Sequence, residues 1–221
     1  MKCVIFDLDG TLADTLSSIA YFANRALTQC GYDAIPLEKY RYLVGNGAKN
    51  LVLGMLRTVG ADESEYERVA PIYNDGYDKD ALYLTKPYDG VLDLLDALHA
   101  RGIKVAVLSN KPDRTTQKVC AALFGGKIGI VRGQRADTPR KPDPKAVHML
   151  LEEMGCTPEE CIYVGDTDTD MQTGKNAGAF TVGVLWGFRD EKELCENGAD
   201  GIIAHPMELL TYLNSERTDN A

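Results

Sequence analysis

The sequence predicts an α/β fold in which a parallel sheet core carries an inserted, all-helical unit. Three observations lead to this class. An apolar strand opens the chain, a long segment with helical spacing follows it, and short apolar strands then alternate with helices from about residue 88. The predicted domains are a core of residues 1–14 and 81–221 and a helical unit of residues 15–80.

The predicted strands are continuously apolar, which is typical of strands buried on both faces of a parallel sheet. They are the segments CVIF at 3–6, IKVAVLS at 103–109, a short strand at 128–132, CIYVG at 161–165 and FTVGV at 180–184. Helices at about 91–102, 113–123, 143–154 and 169–177 separate them. This alternation predicts that helices cover both faces of the sheet.

The inserted segment has apolar residues at helical spacing and no strand pattern. The predicted helices lie at about 16–30, from Pro36 to Val44, at about 51–59 and at about 63–80. The sequence GNG at 45–47 breaks the second helix from the third.

Composition excludes several classes of protein. The net charge of −9 argues against partners that are nucleic acid polymers or anionic membranes. No apolar run approaches the roughly 18 residues of a membrane helix, so we expect a cytoplasmic protein. We expect that protein to be a monomer or a homodimer. The six cysteines form no CxxC pair and have mostly apolar neighbours, which predicts buried free thiols. The tail SERTDNA is predicted to be disordered.

Polar side chains collect where the predicted strands end. The carboxyl ends of parallel strands meet at one edge of the sheet, where ligands bind in folds of this kind. Carboxylate oxygens suit Mg²⁺, while a lysine and a hydroxyl suit phosphoryl oxygens, so the edge predicts a phosphoryl-transfer site. The residues concerned are Asp7, Asp9, Ser109, Asn110, Lys141 and the acidic run from Asp166 to Asp170.

Three rival interpretations of these motifs fail. The run DTDTD at 166–170 resembles the start of an EF-hand loop, but Met171 and Ala177 stand where that loop needs Gly and Glu. The sequence GNGAKN at 45–50 lacks the last glycine of a dinucleotide fingerprint and follows a helix. No GxxxxGK[ST] sequence occurs, which removes the P-loop route to nucleotide chemistry.

The motifs, taken together, resemble the haloacid dehalogenase-like hydrolase superfamily. DLDGT at 7–11, LSN at 108–110, KP at 141–142 and GDTDTD at 165–170 look like its four motifs in order. The resemblance implies a Rossmann-like parallel sheet core with a small inserted all-helical cap domain. The sequences GNGAKNLV, SNKP and GVLWGF look like the phosphoglycolate phosphatase branch.

The resemblance implies a role for each site residue. Asp7 would be the nucleophile that forms an aspartyl-phosphate, and Asp9 would protonate the leaving alkoxide and later deprotonate water. Ser109 and Lys141 would hold phosphoryl oxygens. The implied cofactor is Mg²⁺, and its implied ligands are Asp7, Asp166 and the main-chain carbonyl of Asp9, with Asp170 in the outer shell.

Further residues are expected to contact substrate. The loop of Gly45, Asn46 and Gly47 in the cap is the candidate for recognition of the leaving group, with Lys49 available to meet a carboxylate. An ordinary turn followed by a solvated lysine explains the same residues. Asn110 is a second candidate contact. Thr11 either adds a hydroxyl near the phosphate or caps the next helix.

The implied function is a Mg²⁺-dependent phosphatase for a small phosphomonoester, with 2-phosphoglycolate as the first candidate. A pyrophosphatase or a nucleotide monophosphatase is an alternative of the same class. A phosphomutase resembling β-phosphoglucomutase would share Asp7 and Asp9, but Thr11 favours hydrolysis. A dehalogenase or a phosphonatase is disfavoured because neither gives Asp9 a role.

Overall fold

The structure is a computed structural model that describes residues 1–214. The predicted disorder of the SERTDNA tail concerns residues outside this range. Within it, the strands are β1 (Cys3–Phe6), β2 (Ala13–Asp14), β3 (Lys86–Pro87), β4 (Lys104–Pro112), β5 (Ile130–Gln134), β6 (Cys161–Gly165), β7 (Phe180–Val184) and β8 (Gly201–Ile203). The α-helices are α1 (Leu16–Gln29), α2 (Leu37–Tyr40), α3 (Gly47–Thr58), α4 (Tyr66–Lys79), α5 (Val91–Ala100), α6 (Asp113–Phe124), α7 (Lys145–Met154), α8 (Asp168–Asn176) and α9 (Glu191–Glu196). Short 3-10 turns cover Glu63–Glu65, Pro158–Glu160 and Pro206–Asn214.

Six strands form one parallel sheet in the order β5-β4-β1-β6-β7-β8, so the predicted α/β fold is confirmed. Strand β1 lies at the centre, with Ile5 paired with Ala106 on β4 and with Tyr163 on β6. The residues that follow β1 therefore lie between the ends of two neighbouring strands, which is where the crevice of an open sheet forms.

Alternation along β1 sends its side chains into two apolar layers. Cys3 and Ile5 belong to a cluster on one face that includes residues of α7. Val4 and Phe6 belong to a larger cluster on the other face, which runs from α5 and α6 into the inserted helices. These four side chains are at most 1% exposed, so both faces of the central strand are covered.

The inserted helices α1 to α4 pack around an aromatic cluster. Helix α1 contributes Phe22, whose ring lies 5.7 Å from that of Tyr77 on α4. Tyr77 in turn stacks on Tyr73 at 5.7 Å. Each of the three side chains is at least 95% buried, which anchors α4 against α1. The division into a core of residues 1–14 and 81–221 and a cap of residues 15–80 stays a prediction.

Several elements differ from the sequence-based expectations. Helix α2 ends at Tyr40, whereas the predicted helix ran on to Val44. The two-residue strands β2 and β3 pair antiparallel beside the first and last inserted helices, and they are too short to leave an alternating pattern. Strand β8 was not predicted. Strand β4 extends to Pro112 rather than 109, which brings Lys111 onto a strand.

Two expectations from composition can be compared with the structure. All six cysteines are free, as predicted, but only three of them are buried, so the expected burial is wrong for the other three. Across residues 1–214, we find no helix with the length and apolar character required to traverse a bilayer.

Candidate active site

Two buried carboxylates leave the end of β1 on the same side of the chain. Asp7 and Asp9 are separated by Leu8, which lies in a bend after the strand, and both aspartates line the same cavity. Asp7 still belongs to the sheet, since its N–H donates to the carbonyl of Val164 at 2.9 Å. Asp7 and Asp9 are 5% and 8% exposed, so each needs a partner within the protein.

Gly10 ends this segment with a φ of +91°, a conformation that side chains other than glycine rarely adopt. A Cβ at this position would also overlap the carboxylate of Asp166. The glycine therefore lets the main chain turn directly against that carboxylate.

Lys141 is the buried cation that joins the first strand to the last acidic motif. Its ammonium donates to Asp7 Oδ1 and to Asp170 Oδ1, each at 2.7 Å. Burial acts to lower the pKa of Lys141, but the charges of Asp170 and Asp7 outweigh it and hold that pKa well above its usual value. Lys141 is therefore charged whenever these carboxylates are.

Asp7, Asp166 and Asp170 form a buried acidic cluster that could hold a cation. One carboxylate oxygen from each lies within 4.8 Å of the others. Burial raises the pKa of Asp7 to about 7, against the opposing effect of Lys141. Burial likewise raises the pKa of Asp166 well above its usual value.

The charges of this cluster fit a divalent metal ion. When all three carboxyl groups are ionised, they face one ammonium, which leaves two negative charges without compensation. All the donors are oxygens, which hard cations such as Mg²⁺ prefer. Asp166 is already oriented, because it accepts from Thr11 Oγ1 at 3.0 Å and from the Phe188 N–H at 2.8 Å. The residues present thus suit a divalent cation.

Lys111 forms a second buried ion pair that the sequence analysis missed. Its ammonium lies 2.6 Å from both carboxylate oxygens of Asp9 and 4.9 Å from the centre of the Tyr77 ring. Burial acts to lower the pKa of Lys111, yet the Asp9 carboxylate outweighs burial and raises it. Asp9 is thereby held by a different cation from the one that contacts Asp7.

A cavity of about 250 Å³ separates the sheet edge from the inserted helices. Its polar end contains Asp7, Asp9, Ser109 and Lys111. The opposite wall is mostly apolar and is contributed by Ile19, Val44, Ala48, Leu51 and Tyr73. A space of this size suits a small polar molecule with a short carbon skeleton.

The loop after β7 connects the acidic cluster with the inserted helices. Trp186 donates from its indole to the carbonyl of Thr11 at 2.9 Å. Arg41, which follows α2, donates to the carbonyl of Gly187 and accepts at its own carbonyl from Arg189. We call the residues 186–189 the clasp loop, because they bind the core and the helices together.

Comparison with known proteins identifies the family. The family model described as haloacid dehalogenase-like hydrolase matches residues 4–184. The chain belongs to this family. The family resemblance predicted from the four motifs is thus confirmed.

Similar proteins align with nearly the whole chain. A phosphoglycolate phosphatase from Aquifex aeolicus is 30% identical over 97% of this chain and 98% of its own. An N-acetylmuramic acid 6-phosphate phosphatase from Pseudomonas aeruginosa is 28% identical over 99% of this chain and 97% of its own. A crystal structure from Lactobacillus delbrueckii subsp. bulgaricus, assigned as a phosphoglycolate phosphatase, superposes with a TM-score of 0.90 at 28% identity, over 97% and 99% of the two chains. The predicted similarity to the phosphoglycolate phosphatase branch is confirmed.

In this haloacid dehalogenase-like hydrolase, the residues of the four motifs come together. Asp7, Asp9 and Ser109 line the cavity, and Lys141 lies directly behind Asp7. The Ser109 hydroxyl is buried and accepts from the Lys111 N–H at 3.2 Å. Asp170 contacts Lys141 and also closes a capping box with Thr167 at the start of α8.

Asn110 and Thr11, two further residues predicted to contact substrate, form hydrogen bonds to other groups of the protein. Asn110 accepts from the Lys141 N–H at 3.0 Å and donates to the Gly45 carbonyl at 3.0 Å, so its amide ties the strand end to the cap loop. Thr11 donates to Asp166 and does not cap α1, which begins at Leu16 after Thr15.

The cap loop residues divide into two groups. Gly45 and Gly47 line the cavity. Asn46 is exposed and accepts from Thr169 Oγ1 at 3.1 Å, outside the cavity lining. Lys49 is also exposed, and its ammonium lies over the ring of Tyr66, 6.0 Å from the centre. Of the residues expected to recognise a leaving group, only the two glycines reach the cavity.

A usable signal for Lys111 was present in the sequence. It follows Ser109 by two residues, and the period of a strand places both on one side. The stretch SNKP was recognised as typical of the branch without a role for its lysine. The stretch GVLWGF, which contains part of the clasp loop, was also recognised as typical of the branch. Its contact with Asp166 uses the main-chain N–H of Phe188, which the identity of the side chain does not reveal.

Proposed function

We propose that the protein is a Mg²⁺-dependent phosphatase that hydrolyses a small phosphomonoester through an aspartyl-phosphate on Asp7. The proposed substrate is 2-phosphoglycolate or an ester close to it in size. One observation carries the proposal: Asp7 lines the small cavity while its carboxylate contacts Lys141 and the acidic cluster. The same carboxylate can therefore reach a substrate and share a cation. The named phosphatase activities of the similar proteins support this class.

In the first step, Asp7 attacks phosphorus. Its Oδ1 accepts from Lys141, which leaves Oδ2 to form the new bond to phosphorus. The bond between phosphorus and the ester oxygen breaks, and the oxygen receives a proton from Asp9. A bound Mg²⁺ supplies charge neutralisation for the phosphoryl oxygens. Its proposed protein ligands are Asp7, Asp166 and the Asp9 carbonyl, with Asp170 behind them.

In the second step, Asp9 acts as a base. It takes a proton from water as that water attacks phosphorus, and the bond between phosphorus and Asp7 breaks to release phosphate. Asp9 enters this step as a carboxylate because it gave its proton to the leaving oxygen in the first step, and its contacts with Lys111 keep that carboxylate oriented. Ser109 lines the same cavity as Asp7, and Lys141 donates to Asp7, so both would hold oxygens of the transferred group.

The experiment is a phosphate-release screen with and without Mg²⁺. The panel contains 2-phosphoglycolate, other small phosphomonoesters, pyrophosphate, nucleoside monophosphates and glucose 1-phosphate. We expect Mg²⁺-dependent release, fastest from a small ester. Conversion of glucose 1-phosphate to glucose 6-phosphate without phosphate release would instead indicate a phosphomutase.

The variant Asp7→Asn tests the nucleophile. We expect it to keep the circular dichroism spectrum of the wild type and to lose turnover, because an amide does not attack phosphorus in place of the carboxylate. Mass spectrometry confirms that the amide has not reverted to the acid. Near-normal turnover by such a sample would contradict the assignment.

A further inference from the structure

Lys111 is the single cationic side chain among the cavity-lining residues within 1–214. Lys141 contacts Asp7 from behind, and Lys49 lies outside the lining over Tyr66. Any negative charge on the part of a substrate that enters this cavity therefore finds one ammonium there. Because Lys111 is only 6% exposed, a salt bridge to it would be weakly screened by solvent.

The Lys111 ammonium has donor capacity to spare. An ammonium carries three N–H donors, and two directions are used by the oxygens of Asp9. The ion pair as a whole is neutral, so an approaching anion meets no net repulsion from it. Of the other two acidic groups of the lining, Asp7 accepts from Lys141 and Asp78 accepts from the hydroxyl of Thr115.

Tyr77 supplies an independent indication of a ligand. Its side chain is 95% buried and lines the cavity, and its hydroxyl makes no hydrogen bond of regular geometry, although the Lys111 ammonium and the Ser18 hydroxyl are near enough to act on its pKa. Burying a hydroxyl without a hydrogen bond is unfavourable, and a ligand oxygen that bonded to it would remove that cost. Lys111 and Asp9 both act on the pKa of Tyr77, so this hydroxyl belongs to the same end of the cavity.

We propose that Lys111 and the Tyr77 hydroxyl receive an anionic group, of the size of a carboxylate, on the leaving group of the substrate. The inference rests on the proposed phosphatase function and names the residues that select its substrate. Lys111 also contacts Asp9, the group placed to protonate the ester oxygen, so the anion lies only a few bonds from that oxygen. A short phosphorylated acid meets this requirement, while the apolar wall of Ile19 and Leu51 covers its carbon atoms.

The test compares two esters of similar size, 2-phosphoglycolate and 2-hydroxyethyl phosphate, which differ in the carboxylate. For each, kcat/KM is measured in the wild type and in Lys111→Met, Tyr77→Phe and Lys49→Met. Lys111 also contacts Asp9, so its loss slows both reactions. The ratio of the two kcat/KM values isolates recognition of the carboxylate.

We expect this ratio to fall at least about tenfold in Lys111→Met, the effect of losing a hydrogen bond between charged groups. In Tyr77→Phe we expect a fall of about threefold to tenfold, as for one neutral donor. The matched control Lys49→Met keeps the wild-type ratio, because that lysine does not line the cavity.

Three results would overturn the inference, and they are distinguishable. Unchanged ratios in both Lys111→Met and Tyr77→Phe overturn it while the phosphatase function stands. A fall confined to Lys49→Met transfers recognition to the cap loop. If the wild type releases no phosphate from any ester with Mg²⁺, the proposed function itself fails. Thermal unfolding verifies that each variant is folded, and if Lys111→Met is not, the ratio in Tyr77→Phe decides.

Discussion

The acidic cluster makes a specific prediction about how pH acts on the metal-free protein. Burial raises the pKa of Asp7 from 3.8 in the unfolded chain to about 7 in the folded protein. Between these values the folded state holds a proton that the unfolded chain has released. Stability must therefore fall as pH rises through this window, and the contribution of the proton is gone above the folded pKa. Asp166, whose pKa is also raised, adds to the effect in the same direction.

The size of the effect follows from the shift. One pKa unit corresponds to about 1.4 kcal/mol, so a folded pKa of about 7 gives a loss of about 3 kcal/mol between pH 5 and pH 8. For a chain of 221 residues, this corresponds to a decrease in Tm of about 6–12 °C. Mg²⁺ needs deprotonated ligands, so it should restore stability at pH 8 and do little at pH 5.

Thermal unfolding in EDTA and in MgCl₂, at pH 5 and pH 8, measures both effects. The control is Asp7→Asn, which removes the titrating group and should show a smaller decrease in Tm with pH and a smaller response to Mg²⁺. A wild-type Tm in EDTA that rises from pH 5 to pH 8, by the same amount as in the control, would refute the reasoning. So would a Mg²⁺ response that is equal at the two pH values.

Three further substitutions test separate parts of the site. Asp9→Asn should lower kcat by about 10²–10⁴-fold while the Mg²⁺-dependent rise in Tm persists, and loss of that rise would mean that the side chain is needed for metal binding. Lys141→Met leaves the cluster without its ammonium and should lower the free energy of unfolding in EDTA by about 3–5 kcal/mol in urea titrations, whereas an unchanged midpoint would contradict the role of the buried ion pairs. Gly187→Ala places a Cβ against Asp166 and should weaken the Mg²⁺ response in Tm, with Gly126→Ala, where a Cβ meets nothing, as the matched control.

The sequence was sufficient to predict the sheet and the residues that follow its strands. Continuous apolar runs identified five of the six sheet strands, and the polar residues at their ends were found by position alone. Strand β8 has only three residues, and β2 and β3 have two each, so their sequences contain too few positions to show a period. Their pairing is decided by the surrounding packing.

Side-chain partners were harder to predict than positions. Lys49 was judged by its closeness to a glycine-rich break, but α3 begins at Gly47 and directs it towards Tyr66. Lys111 was recognised in a motif, yet its pairing with Asp9 spans 102 positions in sequence. A single sequence does not show that two residues so far apart come into contact, because the contact depends on the order of the strands in the sheet. The loop that holds Asp166 uses main-chain N–H groups, which every residue except proline possesses.

If Asp166 holds the proposed metal ion, the clasp loop couples the affinity for that ion to the position of the inserted helices. Phe188 donates to Asp166, while its neighbour Gly187 accepts from Arg41 beside α2, so one short peptide segment supports both. Thermodynamic linkage is reciprocal. If a bound metal ion stabilises the contacts of Arg41, those contacts must strengthen metal binding by the same free energy. A substitution at Arg41, on the far side of this segment from the carboxylates, is thus a means of adjusting cofactor affinity without altering a ligand.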